Sequence, residues 1–248
     1  MKWGSIRDVA AQKEISEALA GLVGTTIHYL KLPKSAASQI EPSQVGTLVG
    51  TLTDMMLPTI ALERDIGLKK ADGLLGDREG YPDFLHSSGY RLELKGVFQD
   101  NPEIGLESPP TAREPSARLT QKVTVKNVRP DEDGLLLVLY KLDVDPHNED
   151  LISPKIVSVG IFPVYDCILA RDKRMTDAGG LWFGDYETPT ILSRKGKLAL
   201  KEGRPIISNA YGRKESEGHH FNEDTNFGKL KRIPYPPLQT FLKDNGCI

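Results

Sequence analysis

The chain has 248 residues, 39% of them hydrophobic and 27% charged, with a formal net charge of −2. Such a chain can bury a substantial core in one large domain or two small ones without disulfides or structural metal. The charge excludes nucleic-acid binding by bulk positive charge alone, and two cysteines as far apart as Cys167 and Cys247 fit neither a disulfide framework nor a zinc set, which favours a reducing compartment.

In chain order, residues 5 to 23 read as an amphipathic helix, with Val9, Ile15, Ala18, Leu19, Leu22 and Val23 near helical spacing and Gly24 closing it. A second helix is predicted from about Pro42 to Arg64, its apolar stripe formed by Val45, Leu48, Val49, Leu52, Met56 and Ile60. Pro42 suits the first turn, and Pro58 should kink or divide the helix. A hairpin then occupies "YPDFLHSSGYRLELKGVF", residues 81 to 98, followed by the proline-rich loop "QDNPEIGLESPPTAREPS". A loop of that length within a domain is usually functional or mobile.

"ARLTQKVTVKNV" is ambiguous between helix and strand, and Gln121 and Lys122 within it read as an exposed polar face. "GLLLVLYKLDV", residues 134 to 144, has the near-continuous apolar run of a strand buried on both faces. "KIVSVGIFPVY" is a further strand leading into a helix at "YDCILARDKRM", and from Thr176 the chain turns irregular. This order predicts an α/β core with an irregular C-terminal elaboration. The charged start does not read as a signal peptide, and no apolar run approaches the ~18 residues of a membrane span, so a soluble, cytoplasmic protein is expected.

The hairpin carries the chemistry. Ser87-Ser88-Gly89 fits a three-residue loop whose last residue is left-handed, which makes His86 and Tyr90 the closing pair. In that register Asp83 lies opposite Glu93, on one face, with Cα atoms roughly 4.5–5.5 Å apart. Lys95 shares the face, while Phe84, Leu92 and Leu94 take the other. Opposed carboxylates repel, and a divalent cation relieves the repulsion. Mg²⁺ characteristically takes one or two carboxylates and completes its shell with water and phosphate oxygens. The Leu94 backbone carbonyl is a further candidate ligand, and Lys95 could orient water or stabilise charge on a phosphate oxygen.

Pro82-Asp83, nine intervening residues, then Glu93-Leu94-Lys95 resembles the PD-(D/E)xK signature of the restriction-endonuclease-like nuclease superfamily. The resemblance implies Asp83 and Glu93 as Mg²⁺ ligands, Lys95 as the group assisting the attacking water, a mixed central sheet flanked by helices, and hydrolysis of double-stranded DNA. Within that family the chain is most like a type II restriction endonuclease, for which the family implies a homodimer. The expected organisation is a single nuclease domain over 1–248, with a catalytic core over 1–175 and a DNA-recognition part over 176–248. A repair or nicking nuclease of the same fold, similar to the mismatch-repair endonuclease, is the enzymatic alternative. A non-catalytic DNA-binding module with a solvent-exposed hairpin is the other.

Members of the family often draw another acidic ligand from the preceding helix. Glu63 is the candidate, set against a simple ion pair with Arg64 or Lys69, and Asp54 is weaker. His86 reads as a turn residue, and His219-His220 as a loop segment without matching ligand spacing. From Ile191 onward eleven Lys/Arg face six Asp/Glu. Arg194, Lys195, Lys197, Arg213, Lys214, Lys229, Lys231 and Arg232 are the candidate DNA contacts there, as residue types that grip phosphates or guanine edges.

Overall fold

The computed structural model describes residues 4–39, 42–71, 81–99, 117–119, 123, 125, 128–177, 202 and 228–248. The first helix, α1, spans Val9–Leu19 and tightens into a 3-10 turn over Ala20–Leu22. Gly24, at φ 84°, takes the left-handed conformation that ends it. Helix α2 spans Pro42–Glu63 and continues through Pro58 without being divided.

Six strands form one mixed sheet: β1 (Leu32–Pro33), β2 (Leu68–Lys70), β3 (Phe84–His86), β4 (Arg91–Phe98), β5 (Asp133–Asp145) and β6 (Asn148–Pro163). Their spatial order is β1-β6-β5-β4-β3-β2, with β4 and β5 parallel and the remaining neighbours antiparallel. β5 is the central apolar strand expected from the sequence, with Leu135, Leu136, Leu137, Val138 and Leu139 all buried. A strand covered on both faces needs no alternation, because either direction leads into a core.

Helices cover both faces. On one, Ala11, Ile15 and Leu19 of α1 and Leu57, Ile60 and Ala61 of α2 pack on Phe84, Leu92, Leu136 and Val138. On the other lie helix α3 (Val164–Asp177) and the C-terminal helix α4 (Pro236–Asp244), whose Val164, Cys167, Ile168, Leu238 and Leu242 pack on Val97, Leu135, Leu137, Leu139 and Phe162. The molecule is thus an α/β fold with helices above and below a mixed sheet. No helix among the described residues is long and apolar enough to cross a membrane.

Over residues 228–248 the structure corrects the expectation of an irregular C-terminal elaboration: this stretch carries a helix and core residues. Leu230, Ile233, Leu238, Leu242 and Cys247 are buried in the second core. Leu119 and Leu230 exchange backbone hydrogen bonds with Gly228 and Ala117, so the segment at 117–119 is stitched to this end of the chain. Helix α4 approaches the sheet at Gly160, where an added Cβ would lie 2.8 Å from the Phe241 ring. Phe241 meets Phe162 edge-on there, with ring centroids 5.4 Å apart.

Candidate active site

The β3–β4 turn has the geometry that its glycine demands. The His86 N–H donates to the Tyr90 carbonyl and the Gly89 N–H to that of His86, both at 2.9 Å, with Gly89 at φ 94°. A side chain at Gly89 would be strained in this conformation. The ladder pairs Phe84 with Leu92 and Leu85 with Arg91, which is the register that sets Asp83 across from Glu93. Phe84 and Leu92 enter the α1/α2 core as expected.

β3 ends at Phe84, so the main chain no longer pairs with Leu94. The Asp83 side chain takes over: its Oδ2 accepts the Leu94 N–H at 2.8 Å. A strand residue directs its N–H and carbonyl to the same side, so the Leu94 carbonyl also leaves β4 toward Asp83. Glu93 is 8% exposed, and its Oε1 accepts a hydrogen bond from Lys95 Nζ at 2.6 Å. Its Oε2 is buried without a donor. The Glu93 carboxyl lies above the ordinary glutamate range chiefly because burial disfavours its charge; Lys95 opposes the shift, and the neighbouring Asp83 carboxyl reinforces it.

These features fit a hard cation. An oxygen with no donor, a second carboxylate that raises its pKa and a main-chain carbonyl on the same side form an oxygen-rich, electron-rich corner. Among the described residues no third His, Cys, Asp or Glu joins the pair. Glu63 in particular does not: it is the exposed last residue of α2, and α2 packs on the Phe84/Leu92 face, whereas Asp83, Glu93 and Lys95 share the Leu135/Leu137 face. Asp54 is ion-paired with Lys70 of β2 on that same α2 side.

His86 is held as a structural group. Its Nε2–H donates to the Ile66 carbonyl at 2.9 Å, while Nδ1 faces the Ser88 hydroxyl at 2.6 Å and accepts the Ser88 N–H at 3.2 Å. Burial lowers its pKa, which favours this neutral form.

Sequence reasoning missed a cluster beside the pair. Asp133, fully buried at the start of β5, accepts hydrogen bonds from the Tyr81 hydroxyl at 2.7 Å and the Arg129 N–H at 2.9 Å. Arg91 Nε lies 3.1 Å from the same carboxylate, and the Arg91 guanidinium covers the Tyr81 ring at 5.4 Å. Tyr81, Arg91 and Asp133 thereby tie the segment leading into Asp83 to the strands on its other side. Arg91 sits two residues before Glu93 and so on its face, the one signal that spacing offers.

Comparison with protein-family models, with the curated proteins and with the solved structures gives no match. The geometry therefore carries the functional reading by itself. Of the candidate DNA contacts, Arg194, Lys195, Lys197, Arg213 and Lys214 lie outside the described residues, as do Gln121, Lys122, His219 and His220. Lys229 is 4% exposed, drawn inward because its neighbour Leu230 is a core residue and its backbone bridges to Arg118, so it is not a surface phosphate contact. Arg232 is exposed and Lys231 half-buried, next to the α4 anchor.

Proposed function

We propose that the chain is a Mg²⁺-dependent nuclease that hydrolyses phosphodiester bonds of double-stranded DNA. The nearest description is a type II restriction endonuclease on a restriction-endonuclease-like fold. One observation carries the reading: Asp83, Glu93 and Lys95 converge on one face of β3–β4, and the Glu93 Oε2 is buried with no donor. A buried carboxylate oxygen without a partner is costly, so it calls for a ligand that brings positive charge.

Asp83 and Glu93 would hold the ion, with the Leu94 carbonyl as a third oxygen. Bound there, Mg²⁺ would neutralise the carboxylate pair and polarise the phosphate. Asp83 fixes the strand end through Leu94 N–H and so sets the spacing of the pair. Glu93 holds the Lys95 ammonium at 2.6 Å, which aims a donor toward the place where charge develops on the phosphate and the attacking water. His86, with both ring nitrogens engaged, takes no part.

Incubating supercoiled plasmid with Mg²⁺ tests this reading. Discrete linear fragments from the wild type, lost in Asp83→Asn and Lys95→Ala variants that remain folded, are the expected result. Open circles alone would favour the nicking alternative, and full activity in Asp83→Asn would remove the assignment.

A further inference from the structure

Arg91 is fixed in place but short of acceptors. Its Nε lies 3.1 Å from Asp133 Oδ1, yet both atoms are buried and out of line for a hydrogen bond. Tyr81 covers the guanidinium, with its ring centroid 5.4 Å from Cζ. Among the described residues none of the guanidinium N–H groups makes an aligned hydrogen bond, and 15% of the side chain still reaches solvent. The group is held by charge from Asp133 and by the Tyr81 ring, while its fork of donors stays unused.

Its position says what the donors face. Arg91, Glu93 and Lys95 alternate along β4 and share a face, each about 7 Å from the next. The carboxylate pair at Asp83 and Glu93 therefore has a cation on either side. Lys95 is engaged by Glu93 Oε1 at 2.6 Å, whereas Arg91 pairs with Asp133 on β5 and not with Glu93. Glu93 Oε2 without a donor and Arg91 without an aligned acceptor thus lie one strand step apart, too far to answer each other. Successive phosphates of one DNA strand, the first held over the carboxylates, answer both. The planar guanidinium fork suits phosphate oxygens, which it can take two at a time.

We propose that Arg91 grips a backbone phosphate of the DNA beside the phosphate held over Asp83 and Glu93, with Asp133 and Tyr81 holding the guanidinium in place. The inference rests on the nuclease reading for its ligand and adds a contact that positions the strand rather than cuts it. Asp133 also keeps Arg91 off the carboxylate pair. A guanidinium that fell onto Glu93 would cancel the charge that is to hold the cation.

Binding without cleavage tests it. In EDTA, the anisotropy of a fluorescent mixed-sequence duplex across a salt series counts phosphate contacts, because each contributes about −0.9 to the slope of log K against log salt. Arg91→Met should weaken binding about tenfold or more and make the slope shallower by about one. The double variant Arg91→Met/Asp133→Asn has the wild-type net charge and keeps an oxygen to accept from the Tyr81 hydroxyl and the Arg129 N–H. It should show the same shallower slope, which then reports a lost contact rather than lost charge or a stranded carboxylate. Lys13→Met removes a positive charge from α1, on the other side of the sheet, and should leave the slope unchanged. A wild type without affinity for the duplex would overturn the proposal, and so would a slope in Arg91→Met equal to the wild type's or a change matched by Lys13→Met. Plasmid cleavage by the wild type in Mg²⁺ beside an unchanged Arg91→Met slope would leave the nuclease reading standing alone. A shallower slope in a protein that cuts no DNA with Mg²⁺ would keep the phosphate grip and remove the nuclease reading.

Discussion

The Asp83 carboxylate accepts the Leu94 backbone N–H at 2.8 Å, replacing a ladder bond that β3 ends too early to supply. The same side chain therefore has a structural and a proposed chemical role, and two substitutions separate them. Asp83→Asn keeps an oxygen acceptor but loses the charge. DNA cleavage should fall by at least about a hundredfold, the scale on which removal of one charge-stabilising group acts, with stability almost unchanged. Asp83→Ala loses both, and urea unfolding should show a further loss of about 1 kcal/mol.

Glu93 sets a pH dependence. Burial raises its folded pKa above the unfolded value, so its stability contribution is full below the ordinary glutamate pKa and is lost as pH rises through the folded pKa. Glu93→Gln should flatten that decline and raise the melting temperature at neutral pH. In the wild type, Mg²⁺ at about a hundred times its dissociation constant should add about 2.7 kcal/mol, a rise of about 5–10 °C that Glu93→Gln lacks. Differential scanning calorimetry at two pH values, with and without Mg²⁺, measures both effects.

Asp133 joins the Tyr81 hydroxyl, the Arg129 N–H and Arg91 at one buried carboxylate. Removing one partner of a buried pair strands the other, so Asp133→Ala should destabilise the fold by about 3–5 kcal/mol by chemical denaturation. Tyr81→Phe removes one hydrogen bond to a charged group and should lower stability by about 1.5–3 kcal/mol. Should Tyr81→Phe match the wild type, the hydroxyl contributes nothing to holding this segment.

Asp145 accepts from the Ser153 hydroxyl at 2.7 Å and the His147 N–H at 3.0 Å, and ion-pairs with Lys31 at 3.4 Å. The Ser153 hydrogen bond leads the lowering of its pKa to about 2, ahead of the smaller His147 and Lys31 contributions. The resulting stability is present above the unfolded pKa and is lost as pH falls through about 2. The melting-temperature difference between wild type and Asp145→Ala should therefore be full at pH 7 and close as the medium is acidified below the unfolded aspartate pKa.

The hairpin register was legible because Ser87-Ser88-Gly89 specifies a turn locally, and a turn fixes every pairing that follows it. β5 was legible because a strand covered on both faces has to be apolar throughout. Glu63 misled because helical periodicity identifies a face but not which layer that face meets. The true inward stripe runs through Val49, Thr53, Leu57 and Ala61, which leaves Glu63 at the rim. The Tyr81–Arg91–Asp133 cluster was hidden by chain distance, since Asp133 comes to Arg91 through the parallel β4–β5 pairing. Helix α4 did leave a trace, Pro236-Pro237 at its first turn, ahead of Leu238 and Leu242 one turn apart.

The keying of Phe241 onto Gly160 bears on the order in which the protein matures. The sheet face that displays Asp83 and Glu93 has its hydrophobic cover finished by Leu238, Leu242 and Cys247. A ribosome that has read only as far as residue 227 has not yet supplied that cover. The nascent polypeptide consequently cannot close the second core, or settle the sheet face that carries the carboxylate pair, until helix α4 has emerged.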